Sequence, residues 1–215
     1  MTLLKVCGVT NQRDAMVVSK YADYVGVIVH SSVPTPRLVG HGTIKEIINA
    51  ARGVRTVGVV EGLDMASAIK LVSELGFDVV QYHGDTAITG EAIDLLNQLG
   101  IRLAPVVVYM GNDYIVDKAS ELITRSYIEY VLIDAPKVGF RMYEHGLKIP
   151  LSVIRRVGGM PRVGVAGGIN PSNAPIVVSY KPYLVDVSSG VEKSPGLKDE
   201  ELVRRIAEVV KGVKY

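Results

Sequence analysis

Eight short, nearly unbroken apolar runs recur along the chain, at 3–6, 24–29, 56–60, 78–82, 103–108, 130–133, 162–166 and 184–187. Runs this short and this continuous suit parallel strands covered on both faces, where no wet face is left for polar residues. Each is followed by an amphipathic stretch, at 11–21, 43–51, 64–75, 91–99, 113–126, 150–157, 171–179 and 199–210. In the third of these, Met65, Ala68, Ile69, Leu71, Val72 and Leu75 keep helical spacing, and Gly76 stops the helix. Gly100 stops the fourth in the same way, and Pro171 suits a first helical turn, where a missing N–H costs nothing. Strand–helix units with short connections close as a (β/α)8 barrel or open as a doubly wound sheet. The second should carry a glycine-rich fingerprint after its first strand, and Cys7-Gly8-Val9-Thr10 is not one. The expectation is an α/β fold, a single (β/α)8 (TIM) barrel domain spanning 1–215.

Composition narrows the function. Charged residues make up 21% and hydrophobic ones 48%, close to ordinary globular proteins, which argues against disorder. The net charge of +2, with no Lys/Arg-rich run, argues against a nucleic-acid partner. No apolar run reaches the length of a membrane span, and MTLLKVCGVT does not read as a signal peptide. The single cysteine, Cys7, excludes an internal disulfide and any zinc site built on several cysteines. A cytoplasmic protein is expected.

In a barrel, ligands meet the C-terminal ends of the strands. Those ends carry Cys7, Thr35-Pro36-Arg37, Gln81-Tyr82-His83-Gly84, Asp134, Gly167-Gly168 and the stretch 186–190. Gly167 and Gly168 follow the seventh run, and Ser188, Ser189 and Gly190 the eighth. Glycine lets the backbone approach a ligand closely, and N–H groups at helix starts attract anions, so these two loops together point to a phosphate site. Asp134 closes a run of four apolar residues. Desolvation there would raise its pKa and make it a usable general acid, while capping a following helix is the competing role. Cys7 also ends an apolar strand, either as an inert core thiol or as a thiolate that takes a proton from carbon. Arg37 lies just beyond Pro34-Thr35-Pro36, whose stiffness would hold the guanidinium ready for a carboxylate or phosphate. His83 has no carboxylate or histidine at helical ligand spacing, so no metal is expected; it reads as a hydrogen-bonding group at the barrel mouth. His30, His41 and His145 read as loop residues.

Together these strand-end motifs resemble phosphoribosylanthranilate isomerase. The matching pieces are Lys5-Val6-Cys7-Gly8-Val9-Thr10, Pro36-Arg37, Val80-Gln81-Tyr82-His83-Gly84, Leu132-Ile133-Asp134-Ala135, Ala166-Gly167-Gly168-Ile169-Asn170, Val185-Asp186-Val187-Ser188-Ser189-Gly190-Val191-Glu192 and Pro195-Gly196-Leu197-Lys198-Asp199. They occur in order over nearly the whole chain. The resemblance implies an isomerase of tryptophan biosynthesis that converts N-(5-phosphoribosyl)anthranilate to 1-(2-carboxyphenylamino)-1-deoxyribulose 5-phosphate by an Amadori rearrangement. It implies Cys7 as general base, Asp134 as general acid, Arg37 as the holder of the anthranilate carboxylate, and Asp186 as a residue that orients the substrate. It also implies a small phosphorylated substrate, no cofactor, and a monomer or homodimer. One stretch departs from the family. After the sixth strand the family usually carries Gly-Gly-Thr-Gly and a Phe-Asp-Trp-like segment. Here residues 136–146 read PKVGFRMYEHG instead. Lys137 and Arg141 are candidates to replace lost phosphate or carboxylate contacts; solvated loop charges are the other reading.

Two further readings share the barrel. A transferase resembling thiamine-phosphate synthase would want paired metal-binding carboxylates at strand ends, and none is found. A barrel that binds a phosphorylated metabolite without catalysis draws support only from the changed loop, and the presence of both Cys7 and Asp134 opposes it.

Overall fold

The computed structural model describes residues 1–112 and 114–213. Eight parallel strands close on themselves in chain order: β1 (Leu3–Val6), β2 (Tyr24–His30), β3 (Arg55–Glu61), β4 (Val79–His83), β5 (Arg102–Val108), β6 (Val131–Asp134), β7 (Val163–Val165) and β8 (Leu184–Val187). The helices between and after them are α1 (Gln12–Ser19), α2 (His41–Ala50), α3 (Met65–Glu74), α4 (Gly90–Leu99), α5 (Tyr114–Leu122), α6 (Leu151–Val157), α7 (Ala174–Ser179) and α8 (Glu200–Lys211). This is the expected barrel, with element ends displaced by a few residues. Asn11, Asp64, Thr89 and Asp199 cap α1, α3, α4 and α8, each side chain accepting an N–H from the first turn.

Four local expectations differ. The helix expected from Pro171 begins at Ala174, because Asn170 Oδ1 accepts the N–H groups of Ser172 and Asn173 and holds the intervening residues in a turn. The helix expected over 113–126 runs only from Tyr114 to Leu122, and Asp113 lies outside the described residues. His30 ends β2 and His41 opens α2, so neither is a loop residue; His145 sits in a short turn at φ 57°. An antiparallel pair of short strands, β9 (Glu192–Ser194) and β10 (Leu197–Lys198), was not expected.

Strand side chains alternate between two cores. Val57, Val79, Val106, Leu132 and Leu184 fill the barrel interior. Val25, Val80, Leu103, Ile133 and Val185 face the helices. Leu132 is fully buried, and its truncation to alanine should cost about 2–5 kcal/mol. The same alternation that turns Leu132 inward turns Asp134 inward two residues later. It likewise carries Lys5 and Cys7, Gln81 and His83, and Asp186 to the inside. The N-terminal end of the barrel is closed by Glu129, which accepts from Tyr24 Oη at 2.8 Å and pairs with Arg55 at 2.7 Å. The polar groups left for chemistry therefore gather at the other end. No helix among the described residues is long and apolar enough to cross a membrane.

Candidate active site

A cavity of about 320 Å³ opens at the C-terminal ends of the strands, and Cys7, Arg37, His83, Asp134 and Asp186 all line it. Cys7, just past β1, is half-buried, and its N–H donates to Val187 O at 2.7 Å. Burial pushes its thiol above the ordinary value, against the pull of the Lys5 charge. Lys5 and Asp186 face each other in register across β1 and β8, with Nζ 2.7 Å from Oδ2. Burial pulls the Lys5 ammonium down, but Asp186 and Cys7 outweigh it and the pKa lies above the ordinary value. Asp186 is pushed up by its own burial. Its second oxygen, Oδ1, is buried without a partner in the chain.

Asp134 lies across the cavity at the end of β6. Burial raises its carboxyl pKa to about 6, against the Ala135 N–H that Oδ1 accepts at 2.7 Å. It caps no helix, since the next α-helix starts at Leu151. His83 is lowered to about 3 by burial, with Lys137 and Lys5 adding to the effect, so its ring is neutral near pH 7. Nε2 therefore accepts from Gln81 Nε2 at 3.2 Å, while Gln81 Oε1 accepts from Tyr130 Oη at 3.1 Å.

Arg37 is held differently from what its flanking prolines imply. Nε and NH2 donate to the two oxygens of Glu192 at 2.8 and 2.6 Å, so the guanidinium fork is occupied by the protein and NH1 remains for a ligand. Lys198 Nζ joins the same carboxylate at 2.8 Å and the Ser188 carbonyl at 3.2 Å. The arginine side chain crosses Gly8, where φ is +72° and a Cβ would lie 2.6 Å from Arg37 Cδ.

The two glycine loops meet at this mouth. Gly167, Gly168, Ser188 and Ser189 are on the cavity wall, whereas Gly190 is behind it, where a Cβ would strike the Ile169 carbonyl. Asn173 Nδ2 donates to both Gly168 O and His145 O, at 3.0 Å each, and so ties the loop after β7 to the loop after β6. In that loop Lys137 lines the cavity but pairs with Glu61 at 2.5 Å. Arg141 lies 5.9 Å over Tyr143, off the cavity wall. Lys148, on the wall, stacks on Phe140 at 3.8 Å.

Sequence reasoning missed Lys5, Glu192, Lys198, Asn173 and Lys148 as parts of this site. Lys5 left a signal, a charge in an apolar strand two residues from Cys7 and so on the same face. The others depend on contacts that no local pattern records. Among the described residues no cluster of three metal-ligating side chains occurs.

An eight-stranded barrel with an ionisable cavity at its strand C-termini and paired glycine loops after β7 and β8 has the build of a phosphate-binding barrel enzyme. A family model for N-(5'phosphoribosyl)anthranilate (PRA) isomerase matches residues 4–209. The N-(5'-phosphoribosyl)anthranilate isomerase of Pyrobaculum islandicum is 40% identical over 204 residues, 95% of either chain. The structure of the Pyrococcus furiosus isomerase superposes with a TM-score of 0.78 at 26% identity, covering 99% of this chain and all of that one. A solved isomerase in complex with reduced 1-(o-carboxyphenylamino)-1-deoxyribulose 5-phosphate superposes with a TM-score of 0.74 at 25% identity, covering 99% and 100%. The chain belongs to the N-(5'-phosphoribosyl)anthranilate isomerase family, enzymes of tryptophan biosynthesis.

Proposed function

We propose that this protein converts N-(5-phosphoribosyl)anthranilate to 1-(2-carboxyphenylamino)-1-deoxyribulose 5-phosphate, with Asp134 as general acid and Cys7 as general base. The observation that carries the assignment is that these two side chains, from β6 and β1, line one cavity. Asp134 donates its proton to the ribose ring oxygen as the C1′–O bond breaks, leaving a protonated Schiff base to the anilino nitrogen. That cation acidifies the C2′–H, and the Cys7 thiolate removes the proton to give an enolamine. Tautomerisation then delivers a proton to C1′ and takes one from the 2′-hydroxyl, forming the ketone. Protons alone move, so the reaction calls for no redox partner.

The rest of the cavity suits the substrate. The loops bearing Gly167, Gly168, Ser188, Ser189 and Gly190 are assigned the phosphate, as in other barrels with loops of this kind. Arg37 NH1 is assigned the anthranilate carboxylate. Neutral His83 and the unpaired Oδ1 of Asp186 are assigned hydrogen bonds to the open-chain sugar or anilino nitrogen. The product analogue bound by the solved relative carries a phosphate and a carboxylate at its ends, as the substrate does. A cytoplasmic location agrees with this reading. The test is turnover of freshly generated phosphoribosylanthranilate by the wild type and by Cys7→Ser and Asp134→Asn. Activity in the first and severe loss in both variants is the expected result; a folded wild type without turnover overturns the assignment.

A further inference from the structure

Lys5 carries an ammonium with no solvent exposure, inside a barrel whose interior includes a cluster of Val, Leu, Ala and Tyr side chains. Removing a charge from water costs several kcal/mol, and a buried ion pair commonly does no better than two apolar side chains of equal volume. The Lys5–Asp186 pair therefore explains how the charge is tolerated without explaining why it is there. Three features bear on its role beside Cys7. Lys5 Nζ hydrogen-bonds to Asp186 at 2.7 Å, and its charge favours the ionised form of the Cys7 sulfur. Gly26 on β2 leaves the space the two groups share: a Cβ there would lie 3.0 Å from Lys5 Nζ and 3.1 Å from Cys7 Sγ. Asp186 keeps Oδ1 unpartnered, so the pair is not closed on itself as a purely structural pair would be.

We propose that Lys5 is the positioning residue of this site, an ammonium braced by Asp186 that holds the Cys7 sulfur in place and balances its negative charge while it takes a proton from carbon. The inference rests on the reading of Cys7 as the base. The other groups whose charge acts on the sulfur are Asp186 from β8, Lys198 from β10, Arg37 from the loop after β2 and Tyr130 beside β6. Lys198 and Arg37 are both engaged by Glu192, whereas Lys5 Nζ and the Cys7 sulfur border one space beside Gly26.

Cys7 is the only cysteine, so its alkylation by iodoacetamide reads the thiolate fraction without interference. Lys5→Met removes the charge and nearly keeps the volume. At a fixed, mildly alkaline pH its alkylation should be about 10-fold slower or more, as for loss of an opposite charge at contact distance. Turnover should fall by a similar factor, with KM within about two-fold. Lys5→Met/Asp186→Asn leaves no unpaired charge and covers the case in which the single variant does not fold; it too should alkylate more slowly than Asp186→Asn alone. Unchanged alkylation in a folded variant overturns the proposal. So does slowed alkylation with undiminished turnover in Lys5→Met. Near-wild-type turnover in Cys7→Ser would instead remove the reading beneath it, and alkylation would still decide whether Lys5 and Cys7 are coupled.

Discussion

Arg37 and Glu192, 155 residues apart, share a two-pronged ion pair at the cavity rim, with Lys198 on the same carboxylate. The carboxylate is held below its ordinary pKa: its own burial, which acts upward, is outweighed by hydrogen bonds from Arg37 and Lys198. Glu192 thus sets where the guanidinium sits, at the wall of the cavity.

Glu192→Gln should therefore resemble Arg37→Ala. Each should raise KM about 10-fold, in line with the loss of a charged hydrogen bond, with a smaller change in kcat. The double variant should be little worse than either alone, because one structural unit is being broken. Fully additive losses in steady-state kinetics would mean that Glu192 and Arg37 act separately.

Cys7→Ser and Asp134→Asn should each lose at least ~100-fold in turnover, the low end for general acid–base contributions. Both substitutions are nearly isosteric, so thermal unfolding should stay cooperative. Activity lost only together with folding would leave Cys7 as a core thiol and Asp134 as a strand-end carboxylate without a catalytic role.

Asp134→Asn carries a second, signed expectation. A carboxyl whose folded pKa is raised to about 6 binds its proton more tightly when folded. Its contribution is complete below the unfolded pKa and is lost as pH rises through about 6. At neutral pH the ionised, desolvated carboxylate opposes folding. Asp134→Asn should then melt higher at pH 7, by roughly 2–4 °C per kcal/mol relieved. The advantage should vanish below pH ~4, where both states of the wild type are protonated. Equal melting temperatures at pH 7, measured by calorimetry, would contradict the raised pKa.

The active form needs Asp134 protonated and Cys7 ionised, yet burial pushes Asp134 to about 6 and the Cys7 thiol above its ordinary value. Below about 6 activity should climb as thiolate accumulates. Between the two pKa values, loss of the acid cancels gain of the base and the profile is flat. Above the thiol pKa it falls. The alkaline limb of kcat/KM should coincide with the pH dependence of Cys7 alkylation; a thiol that titrates at the acidic limb instead reverses the assignment.

Inorganic phosphate should inhibit competitively, and in crystals it should lie between the loops after β7 and β8, contacted mainly by backbone N–H groups. Gly190→Ala, which forces a methyl into the Ile169 carbonyl, should displace one loop from the other and weaken that inhibition about 10-fold or more. An ion bound only to surface Lys or Arg side chains, with Gly190→Ala indifferent to phosphate, would relocate the phosphate site.

The sequence by itself determined the barrel and much of its mouth. Each strand is recorded locally, because a segment buried on both faces must be apolar nearly throughout. Period-two alternation then sends Cys7, His83, Asp134 and Asp186 inward from the strands' ends, and the glycine loops mark themselves by composition. What the fold alone decided is which of these groups meet. Lys5 and Asp186, 181 residues apart, touch because closure of the barrel sets β1 beside β8 in one register. Arg37 reaches Glu192 because β9 and β10 fold back over the loop after β8, a short pairing too weak in pattern to be seen in advance. Local burial leaves its mark on each segment's composition, but a contact between distant segments depends on strand register and loop path, which are set only when the whole core packs at once.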